Sequence, residues 1–261
     1  MEIDWNEESK RFDEAADYYD VYRPSYPQAV IDWLIENAGI RPQDKLLEIG
    51  AGSGKATELF VERGYELVCI EPGENLAKTG LRKFSGSHRV SYVVTRFEEW
   101  DEAENSFDFA FSAQAFHWVP KPIGFEKCAR ALKSRKYLAL FWNWYPLGKD
   151  PVFNELTPVL RDYQLAIPSS DDEIEARVVS ETDQINQSRR FKNPAVFRFP
   201  WEKRYEAEEY IGLLRTGNDY LRLQPSDREG LENGVRLTLH KNGGFIIRPY
   251  LGIAFLAQKL D

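Results

Sequence analysis

Cysteine is nearly missing from this chain: Cys69 and Cys128 are the only two, and each sits in an apolar stretch. Two such thiols cannot build a disulfide framework or a four-ligand zinc site, which points to a reducing compartment and to no metal site. No apolar run approaches the length that crosses a bilayer, and Met1 to Lys10 is polar and acidic, without the apolar centre of a secretion signal. Positive charge is in deficit, 34 Lys and Arg against 42 Asp and Glu, for a net charge of −8 and a pI near 5.2. A surface of that sign disfavours broad contact with a phosphate backbone. Internal repeats and low-complexity segments are also missing. The expectation is a cytoplasmic protein with neither membrane nor nucleic acid as partner. What is present is ordinary for a globular chain, 43% apolar and 29% charged residues. That suffices for one large domain, or for a core domain carrying an insertion, without disulfides.

Element signals come in a regular order. Val30, Ile31, Trp33, Leu34 and Ile35 cluster on one side of a helix that starts near Ser25-Pro27 and stops at Gly39. The run 45–50 predicts a strand, a glycine turn follows, and 55–63 has helical character. The alternation continues with strands over 66–70, 89–94, 107–112 and 137–142, and helices over 74–84 and 125–132. Strands and helices at this spacing predict right-handed βαβ units and a parallel sheet covered on both faces. After Tyr145 the rhythm breaks, and 146–192 is longer, more polar and acidic at Asp171, Asp172, Glu173 and Glu175. The chain is therefore divided into a core with an N-terminal helical segment (1–145), a helical insertion or cap (146–192) and a completion of the sheet (193–261). In that last part strands are expected over 195–201 and 245–257, and helices near 207–216 and 226–241.

The most informative run is Glu48-Ile49-Gly50-Ala51-Gly52-Ser53-Gly54. Alternate glycines let the backbone turn sharply and let a ligand lie against bare main chain at the positive end of the next helix. A dinucleotide fingerprint wants its third glycine where Lys55 stands. A P-loop ending at Gly54-Lys55 wants glycine at Ile49 and Ser or Thr at Ala56. Both fail on residues they require, whereas an acidic residue two before the first glycine resembles the loop used by S-adenosylmethionine-dependent methyltransferases. Glu71, with Pro72 behind it, ends the next apolar run 17 residues past Gly54, where a carboxylate accepts hydrogen bonds from ribose hydroxyls. Phe97 and Glu98 follow the third strand; Phe97 either packs on an adenine ring or fills the core. Ser112, Ala113, Gln114, His117 and Trp118 lie just past the fourth strand, near the switch point of an open parallel sheet.

These residues, with Tyr19-Asp20 and Tyr22-Arg23-Pro24-Ser25-Tyr26-Pro27 upstream and Leu214-Arg215-Thr216, Arg228-Glu229 and Gly243-Gly244 downstream, make the chain resemble the class I S-adenosylmethionine-dependent methyltransferases. The small-molecule branch similar to trans-aconitate methyltransferases is the nearest in pattern, and the likeness spans nearly the whole chain. It implies an α/β, Rossmann-like, seven-stranded and mostly parallel sheet of order 3-2-1-4-5-7-6, with the last strand antiparallel. It further implies a cofactor site drawn from Glu48, Gly50, Ala51, Gly52, Gly54, Glu71, Pro72, Phe97, Glu98, Ser112, Ala113, Gln114, Tyr19 and Arg23, and S-adenosylhomocysteine as product. Two departures stand out: Arg96 where many relatives carry Asp, and Ser134-Arg135-Lys136 where Pro-Gly-Gly is usual.

Methyl transfer from a sulfonium asks mainly for alignment of the acceptor and exclusion of water. An acceptor carboxylate needs only donors that position it, and Tyr22, Arg23, Gln114, His117 and Asn143 are candidates. An acceptor hydroxyl or amine needs a base, and His117 is suited by its intrinsic pKa; otherwise His117 is a histidine that only hydrogen-bonds a carbonyl. Arg23 pairs with a carboxylate of cofactor or substrate, or is a surface arginine at a helix start. Trp118, Trp142, Trp144 and Tyr145 form an aromatic wall for the substrate or fill the core. Two rival functions stay open, a non-catalytic S-adenosylmethionine-binding protein and, against Lys55, an NAD-dependent oxidoreductase. A nucleic-acid methyltransferase lacks its Asn-Pro-Pro-Tyr type motif here. Monomer and dimer are both compatible with the sequence.

Overall fold

The computed structural model describes residues 13, 16–101 and 104–261; the stretch Met1 to Lys10 lies outside them. The elements run α1 (Ala16–Tyr22), α2 (Gln28–Ala38), β1 (Lys45–Ile49), α3 (Lys55–Val61), β2 (Glu66–Glu71), α4 (Glu74–Lys83), β3 (Val90–Val94) and β4 (Phe107–Ala113). A 3₁₀ turn (Phe116–Trp118) leads to α5 (Lys121–Ala131), β5 (Leu132–Trp144), α6 (Val152–Asp162), α7 (Asp171–Gln187) and β6 (Ala195–Glu206). Then come α8 (Ala207–Leu214), α9 (Asn218–Leu221), α10 (Pro225–Lys241) and β7 (Phe245–Gln258). The strands form one seven-stranded sheet of order β3-β2-β1-β4-β5-β7-β6. The pairs β3·β2, β2·β1, β1·β4 and β4·β5 are parallel, as the βαβ rhythm predicts.

The chain divides into two compact units. A sheet unit comprises Ser25–Asn143, Glu175–Phe199 and Gly252–Asp261; a helical unit comprises the described residues through Pro24, Trp144–Ile174 and Pro200–Leu251. In the sheet unit, β4 is buried at every position and β1 at all but its first, the signature of a central parallel strand covered on both faces. Phe60 of α3 stacks on Phe111 of β4 at 4.5 Å, Phe111 stacks on Phe141 of β5 at 5.9 Å, and Tyr26 meets Phe141 edge-on at 5.0 Å. All three phenylalanines are fully buried, each a stabilisation of roughly 1.5–3 kcal/mol. In the helical unit, Leu231, Val235 and Leu239 recur every fourth residue of α10 and are fully buried. With Phe153, Leu156 and Leu160 of α6 and Tyr210 and Ile211 of α8 they build the core of that unit.

The fifth strand begins five residues earlier than its apolar pattern suggests. Leu132 already pairs with Phe107, and the register then jumps so that Phe109 faces Tyr137. Ser134-Arg135-Lys136 is therefore a bulge inside the strand and not a turn before it, with Arg135 in the left-handed region at φ 61°. Asp108 explains why a polar segment stays in the sheet. Its carboxylate accepts from Lys133 at 2.8 Å, lies 3.3 Å from the Lys136 ammonium, and accepts from the Lys45 amide at 3.2 Å.

Candidate active site

Three glycines carry the chain from β1 into α3 with positive φ, 71° at Gly50, 55° at Gly52 and 85° at Gly54. Side chains are excluded there by their neighbours as well as by the torsion. A Cβ on Gly50 would run into that of Ala115, and one on Gly54 into the ring of Phe84. The loop lies across the end of β2, where the amides of Gly50 and Ala51 donate to the Ile70 carbonyl at 2.8 and 3.2 Å.

Glu71 holds this loop. It is buried, and its carboxylate accepts from the Gly52 amide at 2.7 Å and the Gly73 amide at 2.8 Å. One acid thus sets both the glycine loop after β1 and the turn after β2. An ionised carboxylate has acceptor capacity beyond two donors, so the same group suits the vicinal hydroxyls of a ribose. Pro72 is exposed behind it.

Glu48 points elsewhere. Fully buried, it accepts from the Thr57 hydroxyl of α3 at 2.6 Å, with the Cys69 thiol of β2 3.9 Å away. Burial pushes its pKa up to about 8; the Thr57 hydrogen bond opposes this, the Glu71 charge adds to it, and the Cys69 contact opposes it. The acid two before the first glycine therefore ties β1 to α3 and β2 from beneath the loop. Thr57 went unread in the sequence, although a Thr one turn into α3 was the available signal.

Phe97 is buried and stacks on Trp100 at 5.9 Å, and Glu98 is held by Arg96, whose Nε donates to it at 2.7 Å. Ser112 is also buried, with its hydroxyl donating to the Ile49 carbonyl at 2.7 Å, so it fastens β4 to the end of β1 just before the loop. Ala113 is buried beside it. Gln114 adopts φ 60°, donates its amide to the Phe141 carbonyl at 2.9 Å and accepts from the Asn143 amide at 2.7 Å. The Asn143 side chain donates to the Ser25 carbonyl at 3.0 Å. Gln114 and Asn143 together couple the carboxyl ends of β4 and β5, where ligands of open α/β sheets bind.

His117 is exposed on the 3₁₀ turn, its ring 5.3 Å from that of half-buried Trp118. Desolvation by the surrounding chain and then the nearby Lys121 ammonium lower its pKa to about 4, which leaves the ring neutral at pH 7. Lys121 in turn lies 3.6 Å from Glu181. Trp142 is buried edge-on to Phe255 at 5.9 Å, a core position. Tyr19, Tyr22 and Arg23 belong to the helical unit. There the Arg23 guanidinium donates to the Thr216 carbonyl at 3.1 Å and lies 5.5 Å from the Tyr19 ring centre, and the Tyr22 ring covers Gly212 so closely that a Cβ there would collide with it. Arg215 forks onto Glu232 with two hydrogen bonds of 2.7 Å. Among the described residues no group of three or more His, Cys, Asp or Glu is placed to hold a metal ion, and no helix is long and apolar enough to cross a membrane.

Residues 47–140 match the methyltransferase domain family. A methyltransferase of Mycobacterium tuberculosis whose function is uncharacterised is 36% identical over 135 residues, 52% of this chain and 53% of its own length. A malonyl-[acyl-carrier protein] O-methyltransferase of Marinomonas is 26% identical over 133 residues, 50% of this chain and 49% of that one. The chain thus spans about half the length of these curated relatives. Among solved structures, a type II methyltransferase of Anaeromyxobacter dehalogenans superposes with a TM-score of 0.63 at 22% identity, over 90% of this chain and 97% of the other; that likeness speaks for the fold. Glycine loop, strand-end carboxylate and strand order agree with the match of residues 47–140 to the methyltransferase domain family and with the Rossmann-like methyltransferase fold.

Proposed function

We propose that the protein transfers the methyl group of S-adenosylmethionine to an oxygen of a small organic acceptor, with S-adenosylhomocysteine as the other product. The observation that carries this reading is the grip of Glu71 on the amides of Gly52 and Gly73. It joins a bare main-chain bend to a carboxylate at the ends of adjacent strands, and that donor and acceptor set fits an amino acid and a ribose better than a diphosphate. S-adenosylmethionine supplies an activated methyl on its sulfonium, so the chain's own work is to bind, orient and exclude water. Gly50 to Gly54 and Glu71 hold the cofactor, and Gln114, fixed by Asn143, faces the acceptor side at the strand ends. His117 is neutral at pH 7 and, with its pKa lowered to about 4, serves as a hydrogen-bond partner of the acceptor and not as a strong base; a carboxylate acceptor needs no base. The acidic surface supports a small molecule over a nucleic acid as acceptor.

Calorimetric titration of the purified chain with S-adenosylmethionine and, separately, with NAD tests the reading. Heat with the former alone is expected, and Glu71→Ala weakens that binding by about 10–100-fold, the loss of charge-assisted hydrogen bonds. Binding of NAD, or unchanged affinity in the variant, would overturn the assignment. Incubation with labelled S-adenosylmethionine and a metabolite pool separates an enzyme, which passes on the label, from a protein that only binds the cofactor.

A further inference from the structure

Gln114, the first residue past β4, stands in the left-handed region at φ 60°. An L side chain enters that region at a cost, and such outliers gather where a group has to be aimed. Two bonds hold it there. The Gln114 amide donates to the Phe141 carbonyl at 2.9 Å, and the Asn143 amide donates to Gln114 Oε1 at 2.7 Å. A backbone N–H meets only an oxygen, so the second bond also decides which end of the carboxamide is which. Oε1 is spent on β5, and the NH₂ group remains as a pair of donors. Among the described residues nothing accepts from Gln114 Nε2, and the residue is only half-buried, which leaves the pair within reach of a small molecule.

The carboxyl ends of the strands fall into two halves. The glycine loop and Glu71 lie at the ends of β1 and β2, and Ala115 touches that loop, since a Cβ on Gly50 would run into its own. Gln114 precedes Ala115 but sends its side chain the other way, to the end of β5. Asn143 is itself fixed there, with its side chain donating to the Ser25 carbonyl at 3.0 Å. All of these residues belong to the sheet unit. A carboxamide tied to β5, across β4 from the loop, is placed for the acceptor and turned from the cofactor's grip. The groups around it bring no free charge. Gln114 has none, His117 is neutral at pH 7, and the Lys121 ammonium lies 3.6 Å from Glu181. A carboxylate seated on Gln114 would lose water without gaining a counter-charge from these groups, whereas an uncharged carbonyl oxygen needs only the N–H donors.

We infer that Gln114 is a specificity-determining residue: its NH₂ group donates to the carbonyl oxygen of an uncharged amide, ester or ketone beside the atom that receives the methyl, and so turns the acceptor toward the sulfonium. The inference rests on the methyltransferase reading above and adds which group of the acceptor is read. A site built to donate a hydrogen bond discriminates strongly against a molecule that cannot accept it, because its own polar group is then left unpaired.

The test compares the full-length parent with Gln114→Glu and Gln114→Leu. Each is incubated with labelled S-adenosylmethionine and the same metabolite pool, and each is titrated calorimetrically with S-adenosylmethionine. Gln114→Glu still takes the Asn143 amide on one oxygen, but it offers the acceptor a lone pair where a donor is needed. At pH 8 label transfer is expected to fall about 10–100-fold in both variants, with cofactor affinity staying near that of the parent. As pH falls from about 8 to about 5 the introduced carboxyl, of ordinary pKa about 4.3, begins to carry a proton that it can donate. The ratio of Gln114→Glu to parent then rises several-fold, while that of Gln114→Leu stays flat; His117 and Lys121 are common to all three proteins and cancel. Gln114→Glu is nearly isosteric and carries the test if Gln114→Leu loses cooperative unfolding. Four outcomes overturn the inference: equal transfer by a folded variant, a loss that tracks cofactor affinity, a flat ratio for Gln114→Glu, or a labelled product whose mass spectrum shows no carbonyl group. None of them touches the methyltransferase reading. A parent that binds S-adenosylmethionine and passes on no label removes that reading, and this inference with it.

Discussion

Glu48 shows how one residue type can serve two purposes within a short motif. Two acids mark this Rossmann-like core, and the structure gives them opposite environments. Glu71 meets backbone amides that favour its charge, while Glu48 meets a hydroxyl and a thiol in a fully buried layer. A carboxyl whose folded-state pKa lies above its unfolded value contributes stability that is complete below the unfolded value and is lost as pH rises through the folded one. With a shift from 4.5 to about 8, the window for Glu48 runs between those two values. The variant Glu48→Gln keeps a carbonyl for the Thr57 hydroxyl and has no proton to lose. Relative to it, the parent is expected to lose roughly a few kcal/mol of stability from pH 5 to pH 8.5, measured by urea unfolding at several pH values. Parallel stability curves for the two proteins would contradict the buried, protonated acid. The identity of Glu48 as part of a cofactor motif was readable in the chain; its partners were not, because Thr57 and Cys69 reach it only once β1, α3 and β2 are packed.

At the scale of elements, the bulge at the start of β5 separates local from cooperative causes. Lys133, Ser134, Arg135 and Lys136 read as a connection, being polar, charged and without alternation. They remain in the sheet because Asp108 on the adjacent β4 gathers two ammonium groups and an amide. Burial raises the Asp108 pKa, but the hydrogen bonds from Lys133, the Lys45 amide and Lys136 outweigh it, and the net direction is downward. Its stabilisation is therefore present above the unfolded pKa and lost as pH falls through the folded one. Asp108→Asn should cost about 1–3 kcal/mol at pH 7 and much less in acid. It should also speed hydrogen exchange at the Lys133 to Lys136 amides ahead of the rest of β5. Unchanged exchange there would mean that backbone pairing alone holds the bulge. The other elements were legible because their cause is local: an apolar run closed by glycine for β1, a glycine in the left-handed region, φ 62°, ending α2 at Gly39, and a fourfold apolar spacing for α10.

For the whole molecule, the two compact units are drawn from interleaved stretches of chain, and four of the five passages between them fall inside β5, α7, β6 and β7. Continuous strands and helices cannot be half-formed without losing their ladders, so one unfolding transition is expected in urea, the same by circular dichroism and by tryptophan fluorescence. Two separated transitions would show the units to be independent. By itself the sequence determined the order of strands and helices, the glycine loop and the acid that closes it, since turn chemistry and apolar periodicity act over a few residues. Only the tertiary structure decided which acid grips the loop and which lies beneath it. The same is true of Ser112, spent on the Ile49 carbonyl, and of Arg248, whose guanidinium lies against the rings of Tyr145 and Tyr250. The reason is that desolvation and hydrogen-bond satisfaction depend on neighbours far apart in the chain, and these exist only after the core has closed.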